Sequence, residues 1–99
     1  MSLNNKQIRF LRAQAHSLKP VVIIGGNGLT DNVINEINQA LDDHELIKVR
    51  VNADDREDKA AMVDKISAQT EAFLIQTIGH IGIFYRQNKK KPKIVIPQK

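Results

Sequence analysis

The fold of this 99-residue chain is decided by the stretch Lys19-Pro20-Val21-Val22-Ile23-Ile24-Gly25-Gly26-Asn27-Gly28-Leu29-Thr30-Asp31. The β-branched, apolar run from Val21 to Ile24 predicts a buried strand. Glycines in the following residues allow backbone conformations, positive φ among them, that a side chain would forbid. Thr30 is a good N-cap residue, so the sequence predicts a strand that passes through a loop directly into a helix.

The loop itself, Gly25-Gly26-Asn27-Gly28, is called the glycine loop below, and its position favours anion binding. Backbone N–H groups of the loop and of the first helical turn would point together at the partial positive end of the helix, where phosphate is favoured. A tight turn that binds nothing fits the spacing as well, because a single glycine loop is a weak motif. The dinucleotide fingerprint and the Gly-Lys-Ser/Thr phosphate loop are both absent, which disfavours a nucleotide-using enzyme.

Hydrophobic periodicity predicts the remaining elements. The expected helices run from about Asn5 to His16, from Thr30 to about Asp43, and from the caps Asp54 and Asp55 to about Thr70; the further strands are Glu45 to Asn52, Ala72 to Ile78 and Ile81 to Arg86. The order αβαβαββ implies a single compact α/β domain over residues 1–99, with a mixed sheet and helices packed on it. Within the basic C-terminal segment 87–99, Ile94 to Ile96 predicts an edge strand or a weakly docked tail.

Charge is distributed unevenly along the chain, although the net charge is only +4. All eleven acidic residues lie between Asp31 and Glu71, so residues 1–30 carry +4, residues 31–71 carry 5 − 11 = −6, and residues 72–99 carry +6. If the two basic ends meet in the fold, they form one positive face, as in proteins that bind a phosphate backbone. We expect this face to include Lys19, the first helix, and the strand that carries Lys48 and Arg50.

Other features exclude several kinds of chemistry. The chain has no cysteine, which suits a reducing cytoplasm, and no apolar stretch long enough to cross a membrane. Its three histidines have no metal-ligand spacing, and the acidic group around Asp54 and Asp55 fits a helix cap. No serine or threonine has an evident base, so we expect no metal, no cofactor and no catalysis.

Two aromatic residues adjoin Arg86 on the last predicted strand. Phe84 fits a core position, whereas Tyr85 could stack on a base or be an ordinary half-buried tyrosine.

Three motifs in order along the chain closely resemble the YhbY-like, or CRM-domain, RNA-binding proteins. They are Ala15-His16-x-Leu18-Lys19-Pro20-Val21-Val22, then Gly25-x-Asn27-Gly28-Leu29-Thr30, then His44-Glu45-Leu46-Ile47-Lys48-Val49-Arg50, with Tyr85-Arg86 near the end. The resemblance implies a fold similar to the C-terminal domain of bacterial translation initiation factor three, and RNA binding through the G-x-x-G loop and a basic surface. It also links stand-alone bacterial members to the precursor of the large ribosomal subunit, and plant relatives to organellar intron splicing.

The candidate RNA contacts combine the resemblance with the charge pattern. They are Arg9, Arg12, Lys19, Gly25, Gly26, Asn27, Gly28, Lys48, Arg50 and Arg86. Relatives often have a basic residue where this chain has Gly26, so the loop must rely on backbone N–H groups and on neighbouring cations.

The sequence therefore predicts a cytoplasmic, monomeric RNA-binding protein that is not an enzyme and that helps to assemble the large ribosomal subunit. A protein-interaction adaptor whose basic face meets an acidic partner is the alternative. A small nucleotide-binding catalytic domain ranks third.

Overall fold

The computed structural model describes residues 2–26 and 28–97. Its elements are α1 (Asn5–Ala15), β1 (Pro20–Ile24), α2 (Asp31–His44), β2 (Leu46–Val51), α3 (Arg56–Thr70), β3 (Phe73–Ile78) and β4 (Ile81–Tyr85). The predicted αβαβαββ order is confirmed, and the predicted boundaries differ from these by one or two residues.

Side-chain caps fix where the helices begin. Asn4 and Gln7 form a capping box at α1, in which each side chain accepts the other residue's backbone N–H, at 2.9 and 3.0 Å. Thr30 Oγ1 accepts the backbone N–H of Val33 at 3.2 Å, and Asp55 caps α3 in the same manner. Each cap satisfies a donor that the first turn would otherwise leave without a partner, which favours a helix start at that residue.

The sheet has the strand order β1-β2-β4-β3, with β1 parallel to β2 and the other neighbours antiparallel. Helices α2 and α3 cover one face, where the core includes Ile37, Leu41, Ile47, Val49, Val51, Ile66 and Phe84. Helix α1 covers part of the opposite face, over a smaller core that includes Leu11, Ala15, Leu46, Ile83 and Tyr85. The predicted mixed sheet with packed helices is therefore confirmed.

Glu45 makes a contact that sequence patterns did not reveal. It follows α2 at a φ of 65° and is completely buried. Its carboxylate accepts backbone N–H groups from Asn88, Lys93 and Ile94, at 2.7 Å for the first and the last. Hydrogen bonds to an ionised acceptor are stronger than neutral ones, so this carboxylate holds the C-terminal segment against the domain.

The C-terminal segment forms no strand over residues 94–96. Instead, Ile94 and Ile96 pack against the core beneath α1, and Gln7 Nε2 donates to the Pro97 carbonyl at 3.0 Å. The segment is therefore a docked tail and not an edge strand. Hydrogen bonds to the Glu45 carboxylate and apolar contacts both hold it in place. Residues 98 and 99 lie outside the described residues.

Tyr85 fits neither alternative given for it, because it is neither half-buried nor able to stack on a base. It is completely buried on the α1 side of β4, and no described residue provides a hydrogen-bond partner for its hydroxyl. Burial raises the pKa of this phenol, and the negative charge of Glu45 raises it further. Since α1 packs over it, the ring cannot stack on a base, whereas Phe84 lies in the opposite core as predicted.

Replacing Glu45 tests the role of its carboxylate. Glu45→Ala leaves three backbone donors of the tail without an acceptor, so we expect the free energy of unfolding in urea to fall by about 2 to 4 kcal/mol. The matched control is Glu36→Ala, which removes an exposed carboxylate from α2 and should change stability by less than about 0.5 kcal/mol. Equal stability of the two variants would contradict this role.

The raised pKa of Tyr85 predicts a pH dependence. The folded state holds the phenol proton more tightly than the unfolded chain, so the free energy of unfolding should fall as pH rises above about 10, the unfolded value. Because the chain has one tyrosine and no tryptophan, tyrosinate absorbance reports Tyr85 alone. The absorbance midpoint should lie at higher pH in buffer than in concentrated urea, and identical midpoints would show that the phenol is not buried in solution.

Candidate nucleic-acid interface

The glycines of the glycine loop differ in backbone conformation. Gly28 has a φ of +71°, which disfavours any side chain, and its N–H donates to the Gly25 carbonyl at 3.1 Å to close the turn. A Cβ built on Gly25 or Gly26 would have no described atom within 4 Å beyond its chain neighbours. Of these three positions, only position 28 requires glycine because of its positive φ. The backbone at Gly25 and Gly26 is exposed and has open space around it. Asn27 lies outside the described residues.

The α2 N-terminus beside the loop already carries a negative charge. Asp31 lies in the first turn of α2 and is exposed. Its carboxylate complements the partial positive charge of the helix end, which lowers the attraction of that end for phosphate. Anion binding at the loop must therefore draw on cations from other elements, as the absence of a basic residue at position 26 also requires.

Several cations predicted as RNA contacts surround a separate groove between α1 and the sheet. Arg9 and Arg12 lie three residues apart and so share one face of α1; together with His16 they line one wall. Lys48 of β2 and Gln76 of β3 line the other, and the groove has a volume of about 460 Å³. We call this the basic groove. It brings together three of the predicted contacts from two separate elements.

Lys19 and Arg50 lie on the same side of the sheet as the basic groove. Arg50 follows Lys48 by two residues on β2, so both side chains point to the face that α1 partly covers. Lys19 immediately precedes Pro20, which pairs with Lys48, and it lines a neighbouring groove below the end of α1. The predicted cations of residues 1–30 and of β2 thus lie on one face, whereas no described cation of the basic region 72–99 lines these grooves.

Arg86 is placed differently from the other candidates. Its guanidinium donates to the Asn38 side chain and the Thr70 carbonyl, each at 2.8 Å, and to the Asp42 carboxylate at 2.8 Å. These bonds join α2 to the end of α3, on the side of the sheet away from the basic groove. The interpretation of Arg86 as an RNA contact needs correction, because its donors are engaged in holding the fold together.

One face of β1 is exposed, which the sequence analysis did not predict. The run from Val21 to Ile24 was expected to be buried throughout, yet Val21 and Ile23 are at least half exposed. β1 is an edge strand, and α1 contacts the other three strands more than β1, so one face of β1 remains open. The brevity of the predicted first helix, about three turns, was the available signal that it could not cover a four-stranded sheet.

The described residues offer neither a cluster of metal-binding side chains nor a membrane-spanning helix. They contain no group of three or more histidine or acidic side chains placed to hold a metal ion. Among their helices, none is both long and apolar enough to cross a membrane.

Comparisons with known proteins extend this picture. The family model of the CRS1/YhbY (CRM) domain matches residues 3–86. An RNA-binding protein of Haemophilus influenzae is 49% identical over 98 residues, which covers 99% of this chain and 98% of that protein. A probable RNA-binding protein of Pseudomonas aeruginosa is 42% identical over 93 residues, covering 94% of this chain and 89% of the relative.

A solved structure is also similar. The solution structure of a hypothetical Staphylococcus aureus protein, described as a candidate RNA-binding protein, superposes with a TM-score of 0.83 at 36% identity. The match covers 97% of this chain and 100% of the other, so the likeness extends to the whole domain.

Proposed function

The chain belongs to the CRS1/YhbY (CRM) domain family, and on that premise we propose that it is an RNA-binding protein without enzymatic activity, which contacts ribosomal RNA in the precursor of the large ribosomal subunit. The observation that carries the proposal is the basic groove, where Arg9, Arg12 and Lys48 converge from α1 and β2. Relatives named as RNA-binding proteins support RNA as the partner.

The geometry suggests a path for the RNA backbone. Phosphates in the basic groove would meet Arg9, Arg12 and Lys48, and the strand from Pro20, opposite Lys48, leads along β1 to the glycine loop. These five residues of extended chain span about 16 Å, a distance that a few nucleotides can cover. At the far end, the open backbone of Gly25 and Gly26 would allow a phosphate to approach closely.

The rest of the proposal concerns the setting. We infer that the whole chain acts as one RNA-binding domain, as a monomer in the cytoplasm, without metal or cofactor. An adaptor for an acidic protein would use the same charges and would also bind in a salt-dependent manner, so a direct comparison of RNA with an acidic polypeptide must separate the two functions.

Salt dependence tests the phosphate contacts. Binding to a large-subunit ribosomal RNA fragment should weaken steeply with salt, and Lys48→Ala should reduce the slope of log K against log salt by about 0.7 to 0.9, the value of one lost phosphate contact. Lys65→Ala is the matched control, because Lys65 is an exposed cation of α3, on the opposite side of the sheet. An affinity that does not depend on salt, or equal binding to an acidic polypeptide, would overturn the proposal.

The loop is tested by changing charge at a tolerant position. Gly26→Glu should fold normally, because nothing crowds its Cβ, yet it places a carboxylate where phosphate is expected and should weaken RNA binding at least about tenfold. Gly26→Gln is the control of the same shape, and urea midpoints check folding for both. If Gly26→Glu binds as tightly as Gly26→Gln at equal salt, the loop is only a turn.

A further inference from the structure

Four side chains form a row across the sheet where α1 leaves it open. Ile23 of β1 pairs with Arg50 of β2, Arg50 pairs with Ile81 of β4, and Ile81 pairs with Ile78 of β3. Directly paired residues point to the same face of a sheet, so these four side chains lie side by side. We call them the isoleucine–arginine row.

The isoleucine–arginine row exposes large apolar side chains to solvent. Ile23 is 62% and Ile78 is 55% exposed, Arg50 is exposed, and Ile81 is half-buried. Large apolar side chains gathered on a surface commonly mark a binding site. The row also ends next to the glycine loop, because Ile23 lies two residues before Gly25.

Charge around the row favours a polyanion as its occupant. The adjacent row toward α1 contains Lys48, Ile83 and Gln76, and all three line the basic groove together with Ile78, so the isoleucine–arginine row borders the groove at Ile78. The described strand positions on this face carry no carboxylate, whereas Arg50 lies within the row itself. An RNA strand with its phosphates in the groove would carry its bases along the open part of the sheet.

Arg50 is exposed and is held by one hydrogen bond to a neighbouring side chain. Its Nε donates to Asn52 Oδ1 at 3.0 Å, which restrains the guanidinium plane. A guanidinium plane stacks on nucleobases, and isoleucines on either side would provide apolar contact with the same ring system. Both aromatic residues of β4 are buried, so on this face arginine and isoleucine take the place that aromatic residues have in many RNA-binding sheets.

We propose that the isoleucine–arginine row receives unpaired bases of the RNA whose phosphates lie in the basic groove. This inference rests on the proposed function and adds to it the kind of RNA, a segment with unstacked nucleotides rather than a continuous duplex. Because stacking and apolar contact tolerate every base, the row provides affinity with little preference for base identity.

The test separates bases from phosphates. One probe is an oligouridylate of about 12 nucleotides, and the other is inorganic polyphosphate of similar length, which has the charges without the bases. The double variant Ile23→Thr/Ile78→Thr keeps β-branched side chains and removes apolar surface. We expect it to bind oligouridylate about tenfold more weakly. Ile78 lines the basic groove but carries no charge, so the salt slope and polyphosphate binding, which depend on the cations, should not change.

The variant Arg50→Lys tests the contribution of the planar guanidinium separately. It keeps the positive charge but loses the planar group, so it too should weaken oligouridylate binding while leaving the polyphosphate affinity and the salt slope unchanged. Leu74→Thr is the control, because Leu74 is a partly exposed apolar residue on the opposite face of β3, and it should change neither affinity. Urea midpoints of all variants verify folding.

Each outcome bears on one proposal. If the double variant and Arg50→Lys bind oligouridylate as the parent does, the base contact is overturned and the row is left as a surface for a protein partner, while the phosphate contacts stand. A parent that binds polyphosphate but not oligouridylate also overturns the base contact. If the parent binds no polyanion in a salt-dependent manner, the proposed function itself fails.

Discussion

Side chains of β2 alternate between the two faces of the sheet and so determine where both cores and the β2 cations lie. Ile47, Val49 and Val51 point to the α2 and α3 side and are almost completely buried. On the reverse face, Leu46 is buried, Lys48 is half-buried and Arg50 is exposed, so the strand emerges from beneath α1 along its length. A slip of one residue would exchange the two faces, so the same core that anchors β2 also fixes where its cations point.

The charged residues divide into two groups with different tasks. Glu45 and Arg86 are engaged with backbone and side chains of the fold, where they hold the C-terminal tail and join α2 to α3. Arg9, Arg12 and Lys48 instead surround an open groove. Because the first group consists of internal contacts, its loss should reduce stability, whereas loss of the second should reduce affinity. This division lets binding and folding be measured separately in the same small domain.

Local patterns sufficed to predict the element order, the Thr30 and Asp55 caps and the two faces of β2, because each depends on residues close in sequence. The resemblance correctly indicated the family. Contacts between distant residues escaped prediction: Glu45 meets backbone more than 40 residues away, and Arg86 meets Asn38 across 48 positions. The burial of Tyr85 and the exposure of Ile23 depend on where α1 lies over the sheet; the predicted length of α1 limits how much it can cover, but not which strands it covers. For the candidate site, the sequence proposed a set of cations as RNA contacts. It did not show that Arg86 is bonded within the fold, whereas Arg9, Arg12 and Lys48 line an open groove.

Cross-linking in cells can show whether RNA binds on the α1 side of the sheet. Ultraviolet cross-linking, followed by sequencing of the attached RNA and identification of the linked peptides, reports both partners of each contact. We expect precursor ribosomal RNA of the large subunit, linked to peptides that contain residues 5–16, 19–28 and 46–52. Links that fall instead on the outer faces of α2 and α3, or no enrichment of ribosomal RNA, would contradict it.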